Sequence, residues 1–164
     1  MKFRKIKHIH FVGIGGIGMS GIAELLLNLG FDISGSDISN NENVKRLKKI
    51  GIMIFHGHKS QNIKNCDVLV YSSAVSLNNS EIIKAKQMRI PVIKRAEMLG
   101  ELINLKDTSI AISGTHGKTT TSSMIGSMLT HAQKEPTLVV GGLVQNLNSN
   151  SKLGDGEVIV VEAD

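Results

Sequence analysis

The segment Gly114-Thr115-His116-Gly117-Lys118-Thr119 combines residue types that can bind a nucleoside triphosphate. It lies between a predicted strand, residues 109–113, and a predicted helix, residues 119–131. Glycines let backbone N–H groups surround a phosphate, a lysine reaches the outer phosphates, and a threonine hydroxyl can ligate Mg²⁺. The spacing is shorter than the usual G-x-x-x-x-G-K-[ST], because the first glycine comes two positions late. Lys118 and Thr119 are therefore the candidate phosphate and magnesium contacts.

Two acidic residues follow a later predicted strand. Residues 158–161 are all aliphatic, which is typical of a central strand of a parallel sheet that is covered on both faces. Glu162 and Asp164 come next, where a P-loop protein often places the carboxylate of its magnesium site. Glu162 is the preferred candidate ligand. The alternative is that these acids are simply solvated.

An earlier glycine loop, Gly13-Ile14-Gly15-Gly16-Ile17-Gly18, also follows a predicted strand and opens a predicted helix. Such a loop lets the backbone approach a diphosphate, whose charge then meets the positive end of the helix. Asp37 lies 19 residues after Gly18, close to the offset of about 20 residues that is usual for a ribose-binding acid. The pattern predicts a nucleotide diphosphate site. A tight turn with Asp37 capping the next element is the alternative.

The elements that position these residues alternate between short apolar runs and helical patterns, which predicts parallel β-α-β units and an α/β fold. Predicted strands cover residues 8–12, 32–36, 52–55, 68–72 and 92–93, then 109–113, 137–140 and 158–162. Predicted helices cover residues 17–29, 43–50, 80–88 and 95–104, then 119–131. A boundary near Lys106 divides the chain into a first domain, 1–106, and a second, 107–164, which has too few elements to close a core.

The amino-acid composition limits the classes of function that the chain can have. The chain of 164 residues has no Trp and four Phe, so its core must be aliphatic. The net charge of +5 comes from scattered lysines, and without aromatic stacking groups it does not favour nucleic-acid binding. Cys66 is the only cysteine, which fits a reducing compartment. With no signal peptide and no apolar run long enough for a membrane span, we expect a cytoplasmic protein.

The sequence has two phosphate-binding loops in one chain, and the second of them is shortened. In this it resembles the Mur ligases and differs from an ordinary dehydrogenase. The resemblance covers essentially the whole chain, and His116 matches the loop of members that act directly on UDP-N-acetylmuramate. Ser80, where the family usually has Pro, and the loop residues Asn148 and Ser151 depart from the pattern. Further matching segments are Gly35-Ser36-Asp37, Ser72-Ser73-Ala74-Val75, Arg95-Ala96-Glu97-Met98-Leu99, Val140-Gly141-Gly142-Leu143 and Glu162-Ala163-Asp164.

The resemblance implies a Rossmann-like parallel-sheet domain followed by the start of a P-loop α/β ATPase domain. It implies ATP-dependent ligation of L-alanine to the lactyl carboxylate of UDP-N-acetylmuramate through an acyl phosphate, in peptidoglycan precursor synthesis, with ATP and Mg²⁺ as cofactors. Lys118 would act catalytically, and Thr119 and Glu162 would hold the metal. The implied ATP-binding residues are Gly114, Thr115, His116, Gly117, Lys118, Thr119 and Thr120. The implied UDP-sugar-binding residues are Gly15, Gly16, Ile17, Gly18, Met19, Ser20, Asp37, Ser72, Ser73 and Ala74.

Other interpretations remain open. An NAD-dependent oxidoreductase would use the first glycine loop and Asp37, but would leave Lys118 unexplained. A third interpretation is a non-catalytic nucleotide-binding module. Because the chain stops on an apolar strand, we expect a truncated sequence without ligase activity. We expect His56 and His58 to lie in a surface loop, His8 and His10 to share one face of a strand, and Cys66 to be a buried, inert thiol.

Overall fold

The structure is a computed structural model that describes residues 6–144 and 149–163. Its backbone contacts divide the chain into two compact units, residues 1–99 and 100–164. The division falls inside one helix, and the boundary near Lys106 stays a prediction.

The first unit contains a parallel sheet of five strands in the order β3-β2-β1-β4-β5. This order places β1 in the centre of the sheet. The chain adds β2 and β3 on one side of β1 and then crosses over to add β4 and β5 on the other side, so the strand order reverses between β1 and β4. In such sheets ligands bind beyond the carboxyl ends of the strands at the point of reversal. The strands are β1 (His8–Val12), β2 (Asp32–Asp37), β3 (Met53–His56), β4 (Val68–Tyr71) and β5 (Val92–Lys94).

The helices that connect these strands begin and end at local sequence signals. The side chains of Asn41 and Asn79 cap α2 and α3 by accepting hydrogen bonds from Val44 N and Glu81 N. Gly30 has a φ of +91° just after α1, a conformation that glycine adopts without steric cost. The helices are α1 (Ile17–Asn28), α2 (Glu42–Lys49), α3 (Ser80–Gln87) and α4 (Arg95–Ile103), with a short 3₁₀ helix at Ser60–Asn62.

The core of the first unit is aliphatic, as the composition requires. Every residue of β4 is buried, and so are all residues of β1 after His8. Burial of these side chains on both faces of a parallel sheet supplies the main favourable term in folding. The largest fully buried side chains here are Ile9, Phe11, Ile14, Met19, Ile22, Leu25, Leu26, Leu47, Leu69, Ile82 and Met98.

The second unit has a four-stranded sheet in the order β6-β9-β7-β8. Strand β9 runs parallel to both β6 and β7, while β8 is antiparallel to β7. The helix α5 packs on this sheet, and Gly126 allows the close approach, since a Cβ there would lie 2.7 Å from the Leu138 side chain. The elements are β6 (Thr108–Ile112), α5 (Lys118–His131), β7 (Thr137–Val144), β8 (Ser149–Lys152) and β9 (Val158–Glu162).

The predicted α/β organisation is confirmed, and every predicted element end except that of β7 is either unchanged or shifted by one residue. Strand β9 is central and buried, as its aliphatic run predicts. Strand β7 continues to Val144, four residues beyond its predicted end. Strand β8 was not predicted, because its residues Ser149–Lys152 are polar and show no alternation of apolar side chains. Pairing with β7, and not its own pattern, makes this segment a strand.

Candidate nucleotide-binding sites

The first glycine loop turns tightly over the end of β2. Gly13 has a φ of +80°, and the amides of Gly13 and Ile14 both donate to Ser36 O, at 2.9 and 3.1 Å. Gly35 makes room for the loop, because a Cβ there would lie 2.6 Å from the Ile14 side chain and 2.8 Å from Phe11 O. The loop conformation therefore depends on glycines both in the connection between β1 and α1 and in β2.

Asp37 braces this loop from the end of β2. Its Oδ2 accepts a hydrogen bond from Gly15 N at 2.7 Å. Its Oδ1 accepts from both the amide and the hydroxyl of Ser39 at 2.8 Å. Asp37 is 7% exposed. Both oxygens of Asp37 are thus engaged within the protein, which fixes the glycine loop against the β2–α2 turn.

Two asparagines also hold the same loop. Asn41 Nδ2 and Asn43 Nδ2 donate to Gly15 O at 3.1 and 3.0 Å. Asn41 also caps α2 through its Oδ1. Gly15 is therefore fixed through its amide and its carbonyl, while Gly16 and Ile17 at the start of α1 are exposed. The N-terminal end of a helix at such a position can bind an anion.

A cleft of about 600 Å³ lies beside the loop, within the first unit. A volume of this size suits a small-molecule ligand. It is formed where β1, β2 and β4 end, as the strand order predicts for a ligand site. Its lining residues are Gly13, Gly16, Asp37, Ile38, Ser39, Asn41, His58, Ser72, Ala74, Val75, Ser76, Asn78 and Asn79.

A buried carboxylate, Glu81 of α3, lies behind the cleft and is 0% exposed. It accepts hydrogen bonds from Ser36 Oγ at 2.5 Å and from Asn62 Nδ2 at 2.6 Å. His58 Nδ1 lies 3.4 Å from Glu81 Oε2, and His10 Nε2 lies 3.7 Å from Oε1. Burial raises the pKa of Glu81, but the His10 imidazole, the Ser36 hydroxyl and the Asn62 amide outweigh burial and hold the pKa below its ordinary value.

The two histidines of β1 lie on one face of the strand, as their alternation predicts. His8 Nε2 and His10 Nδ1 both contact Ser34 Oγ, at 2.7 and 2.8 Å. His10 is 1% exposed and lies between Ser34 and Glu81. These contacts link β1, β2 and α3 through polar side chains inside an otherwise aliphatic core.

The second glycine loop joins β6 to α5. Gly114 and Gly117 have φ angles of +145° and +79°, conformations that favour glycine. Lys118 Nζ donates to Gly114 O at 2.7 Å, so its side chain folds back across the loop. Glu162 ends β9 opposite Ile112 of β6 and is 8% exposed. The carboxylate and the loop therefore lie at the same edge of the second sheet.

The predicted UDP-sugar residues divide into three groups. Gly16, Asp37, Ser72 and Ala74 line the cleft. Ser73 lines a separate, smaller hollow of about 300 Å³ with Lys94 and Arg95. The remaining predicted residues belong to the glycine loop or to the first turns of α1, where the side chains of Met19 and Ser20 are buried; these are Gly15, Ile17, Gly18, Met19 and Ser20.

Sequence reasoning missed part of the cleft. His56 is exposed, but it ends strand β3 and does not lie in a loop, because it pairs with Asp37 of β2. His58 follows the strand as expected, but it is only 18% exposed and lines the cleft. Asn41, which also lines the cleft, was missed, as were the glycine-loop contact Asn43 and the buried Glu81. The polar run Ser39-Asn40-Asn41, which begins two residues after Asp37, was the available signal. The predicted positions Asp164 and Asn148 lie outside the described residues.

Within the described ranges, no cluster of three or more His, Cys, Asp or Glu side chains is placed to hold a metal ion. Mg²⁺ does not need such a cluster, because it is usually bound through one or two carboxylates together with substrate phosphates and water. No helix in the part of the chain described by the structure is long and apolar enough to cross a bilayer.

Comparison with known proteins connects both loops to one family. A family model described as "Mur ligase family, catalytic domain" matches residues 8–107. A UDP-N-acetylmuramate–L-alanine ligase of Trichlorobacter lovleyi is 55% identical over 162 residues, which is 99% of this chain and 35% of that protein. This chain therefore spans about a third of the length of that relative.

Solved structures are similar over nearly the whole chain. The UDP-N-acetylmuramate-alanine ligase of Thermotoga maritima has a TM-score of 0.89 and 36% identity, covering 96% of this chain and 37% of that one. The UDP-N-acetylmuramate:L-alanyl-gamma-D-glutamyl-meso-diaminopimelate ligase of Neisseria meningitides has a TM-score of 0.88 and 28% identity, covering 97% and 53%. With its fold, its two glycine loops and these similarities, the chain belongs to the Mur ligase family.

Proposed function

We propose that this chain carries the UDP-sugar-binding domain, residues 1–106, and a segment of the ATP-binding domain, residues 107–164, of a UDP-N-acetylmuramate–L-alanine ligase. The observation that carries the proposal is the cleft beside the braced glycine loop, at the carboxyl ends of β1, β2 and β4. The choice of L-alanine follows from the relatives, since the alanine-adding enzyme is 55% identical and the peptide-adding one is 28% identical.

In the first unit, the diphosphate would lie at the N-terminal end of α1, where the helix dipole favours an anion. Gly16 is exposed and carries no side chain, which leaves its backbone accessible, whereas Gly15 shapes the loop through its contacts with Asp37, Asn41 and Asn43. Ser72 and Ala74 line the opposite wall of the cleft. The remaining UDP-sugar residues proposed from the sequence are Ile17, Gly18, Met19, Ser20, Asp37 and Ser73.

The engaged carboxylate of Asp37 argues against a dinucleotide oxidoreductase. In a dinucleotide-binding fold, the acid at the end of β2 binds the ribose hydroxyls of NAD. Here the Asp37 oxygens accept hydrogen bonds from Gly15 and Ser39 instead. The geometry of Asp37 agrees better with a ligand that binds at the glycine loop and does not use this acid as its ribose contact.

In the second unit, the residues between β6 and α5 would bind ATP. The left-handed Gly114 and Gly117 curve the backbone, and Lys118 would exchange its contact with Gly114 O for the transferred phosphoryl group. Thr119 and Glu162 supply hydroxyl and carboxylate oxygens, which are ligands of the hard type that Mg²⁺ prefers. When bound, the metal would offset charge on the phosphates. Thr115, His116 and Thr120 complete the proposed ATP-binding set.

The proposed reaction joins two small molecules in the cytoplasm. The lactyl carboxylate of UDP-N-acetylmuramate takes the terminal phosphoryl group of ATP, and the amine of L-alanine then displaces phosphate to form the amide. Because these residues cover about a third of the relatives' length, we expect the 164-residue chain alone to form no amide. Product that depends on ATP and alanine would refute this expectation.

Calorimetric titration tests the binding role directly. The 164-residue chain is titrated with UDP-N-acetylmuramate, and UDP and NAD⁺ serve as comparison ligands. Saturable binding of the UDP-sugar, competed by UDP but not by NAD⁺, is the expected result. Binding of NAD⁺ alone would overturn the ligase proposal in favour of an oxidoreductase. Binding of nucleotides without amide formation by a chain of the relatives' full length would favour a non-catalytic module.

A further inference from the structure

His58 lies where the buried polar network of the first unit meets the cleft. Its Nδ1 lies 2.8 Å from Ser36 Oγ and 3.4 Å from Glu81 Oε2. Its side chain lines the cleft. Among the described residues, its other ring nitrogen, Nε2, makes no hydrogen bond. The ring is therefore held by one nitrogen, and the other is available to a molecule in the cleft.

Counting hydrogens determines which nitrogen of His58 carries the proton. A carboxylate only accepts hydrogen bonds, and a serine hydroxyl has one hydrogen to donate. Ser36 donates that hydrogen to Glu81 at 2.5 Å. The Ser36 oxygen must therefore accept from His58, which requires a hydrogen on Nδ1. The lowered pKa of Glu81 keeps it a carboxylate at neutral pH, so this direction is maintained.

The consequence appears at the cleft. When Nδ1 carries the hydrogen, the neutral imidazole has a lone pair on Nε2, which makes that atom an acceptor. The carboxylate of Asp37, the nearest analogue of a ribose-binding acid, already accepts three hydrogen bonds from Gly15 and Ser39. His58 Nε2 is thus a hydrogen-bond acceptor at the cleft in addition to the Asp37 carboxylate, whose oxygens are already engaged.

We propose that His58 recognises the nucleoside of the bound UDP-sugar by accepting a hydrogen bond at Nε2 from a nucleoside N–H or O–H group. Glu81, acting through Ser36, is a positioning residue that fixes the His58 tautomer. The donor is either the uracil imide N–H or a ribose hydroxyl, which present the same chemistry to the imidazole. The inference rests on the proposed function and adds to it a residue that contacts the nucleoside of the ligand.

The variant His58→Asn tests the contact. An asparagine amide can still donate to Ser36 from near the Nδ1 position, but no atom replaces Nε2. We expect this variant to bind UDP about 5- to 20-fold more weakly, the range of one lost hydrogen bond. His56→Asn is the matched control, because His56 is exposed and does not line the cleft; its affinity for UDP should be unchanged.

Ligand analogues identify the donor. Wild-type chain and His58→Asn are titrated with UDP, 3-methyl-UDP, 2′-deoxy-UDP and 3′-deoxy-UDP. The wild type should discriminate against the analogue that lacks the partner hydrogen, and His58→Asn should lose that discrimination. A loss at 3-methyl-UDP assigns the imide, and a loss at a deoxy analogue assigns the ribose. Equal discrimination by both proteins against all three analogues would overturn the inference.

Nitrogen-15 NMR of the imidazole tests the positioning role of Glu81. In the neutral ring of the wild type, Nδ1 should carry the hydrogen and Nε2 should show the unprotonated, pyridine-type resonance. Glu81→Gln or, if that variant does not fold, Ser36→Ala should shift the tautomer towards Nε2–H and weaken UDP binding. A wild-type ring protonated at Nε2 would overturn the assignment. Absence of any uridine binding overturns the proposed function and the ligand contact together, whereas UDP binding unaffected by His58→Asn overturns the contact alone.

Discussion

The Asp37 carboxylate accepts a hydrogen bond of 2.7 Å from the backbone amide of Gly15 and so ties the end of β2 to the first glycine loop. The same side chain accepts two hydrogen bonds from Ser39. An acid that the sequence pattern associates with a ligand is therefore primarily a brace of the loop. The shape of the cleft depends on this brace, because Gly13, Gly16 and Asp37 all line it.

The first prediction concerns Asp37→Asn. Asparagine has one acceptor oxygen, so either Gly15 or Ser39 must face an NH₂ group. We expect a loss of unfolding free energy of about 1–3 kcal/mol and weaker binding of UDP-N-acetylmuramate. Urea unfolding and calorimetry measure the two effects. Asp32→Asn, at the exposed start of β2, should change neither. Equal stability of the two variants would show that the Asp37 contacts contribute little.

The second prediction concerns Gly15→Ala. A Cβ at Gly15 would lie 2.7 Å from Val44 Cγ2 and 2.9 Å from Asp37 Oδ2, and both neighbours are buried. We expect a destabilisation of about 1–3 kcal/mol from overpacking and weaker UDP binding. Gly100→Ala is the control, since no atom lies within 4 Å of a Cβ there. Alanine in that helix should raise stability by about 0.5–1 kcal/mol.

The third prediction concerns Lys118→Met, which keeps the length of the side chain and removes its charge. Loss of a charged contact to phosphate should weaken ATP binding about tenfold or more. Displacement of a fluorescent ATP analogue from the 164-residue chain measures this. Lys134→Met, at an exposed position after α5, is the matched control. Unchanged ATP affinity in Lys118→Met would remove Lys118 from the proposed site.

The fourth prediction concerns the pH dependence of stability. The folded-state pKa of Glu81 lies below its ordinary value of 4.5. The unfolded state therefore takes up the proton first as pH falls, so the stabilising contribution of Glu81 is present above about pH 4.5 and is lost below it. Glu81→Gln should be less stable than the wild type at neutral pH, and the difference should shrink in acid. Urea unfolding between pH 7 and pH 3 checks this; a difference that grows in acid would contradict the sign.

The fifth prediction concerns Cys66. It is buried, and burial raises the pKa of its thiol to about 11. Because the thiolate is the reactive form, the native chain should react with a disulfide reagent at pH 8 far more slowly than the urea-unfolded chain. Absorbance of the released thiol measures both rates. Similar rates in the two states would show that Cys66 is accessible in the native protein.

The sequence by itself determined the elements and the phosphate-binding loops. Apolar runs with a period of two or 3.6 predict strands and helices because side chains alternate or spiral with those periods. Asn79 before α3 and Gly30 after α1 act through neighbouring backbone atoms, so their roles can be predicted locally. The glycines around Lys118 and Gly15 are identifiable for the same reason.

The tertiary structure decided what lies beside those loops. Glu81 meets Ser36 from 45 residues away, and His58 reaches the cleft only because β3 is the edge strand beside β2. Strand β8 forms from polar residues because β7 offers it hydrogen bonds. Contacts of this kind depend on strand order and on the packing of distant segments, which no short window of sequence specifies. The loops follow from local residue types, whereas the contacts around His58 follow from the assembled sheet.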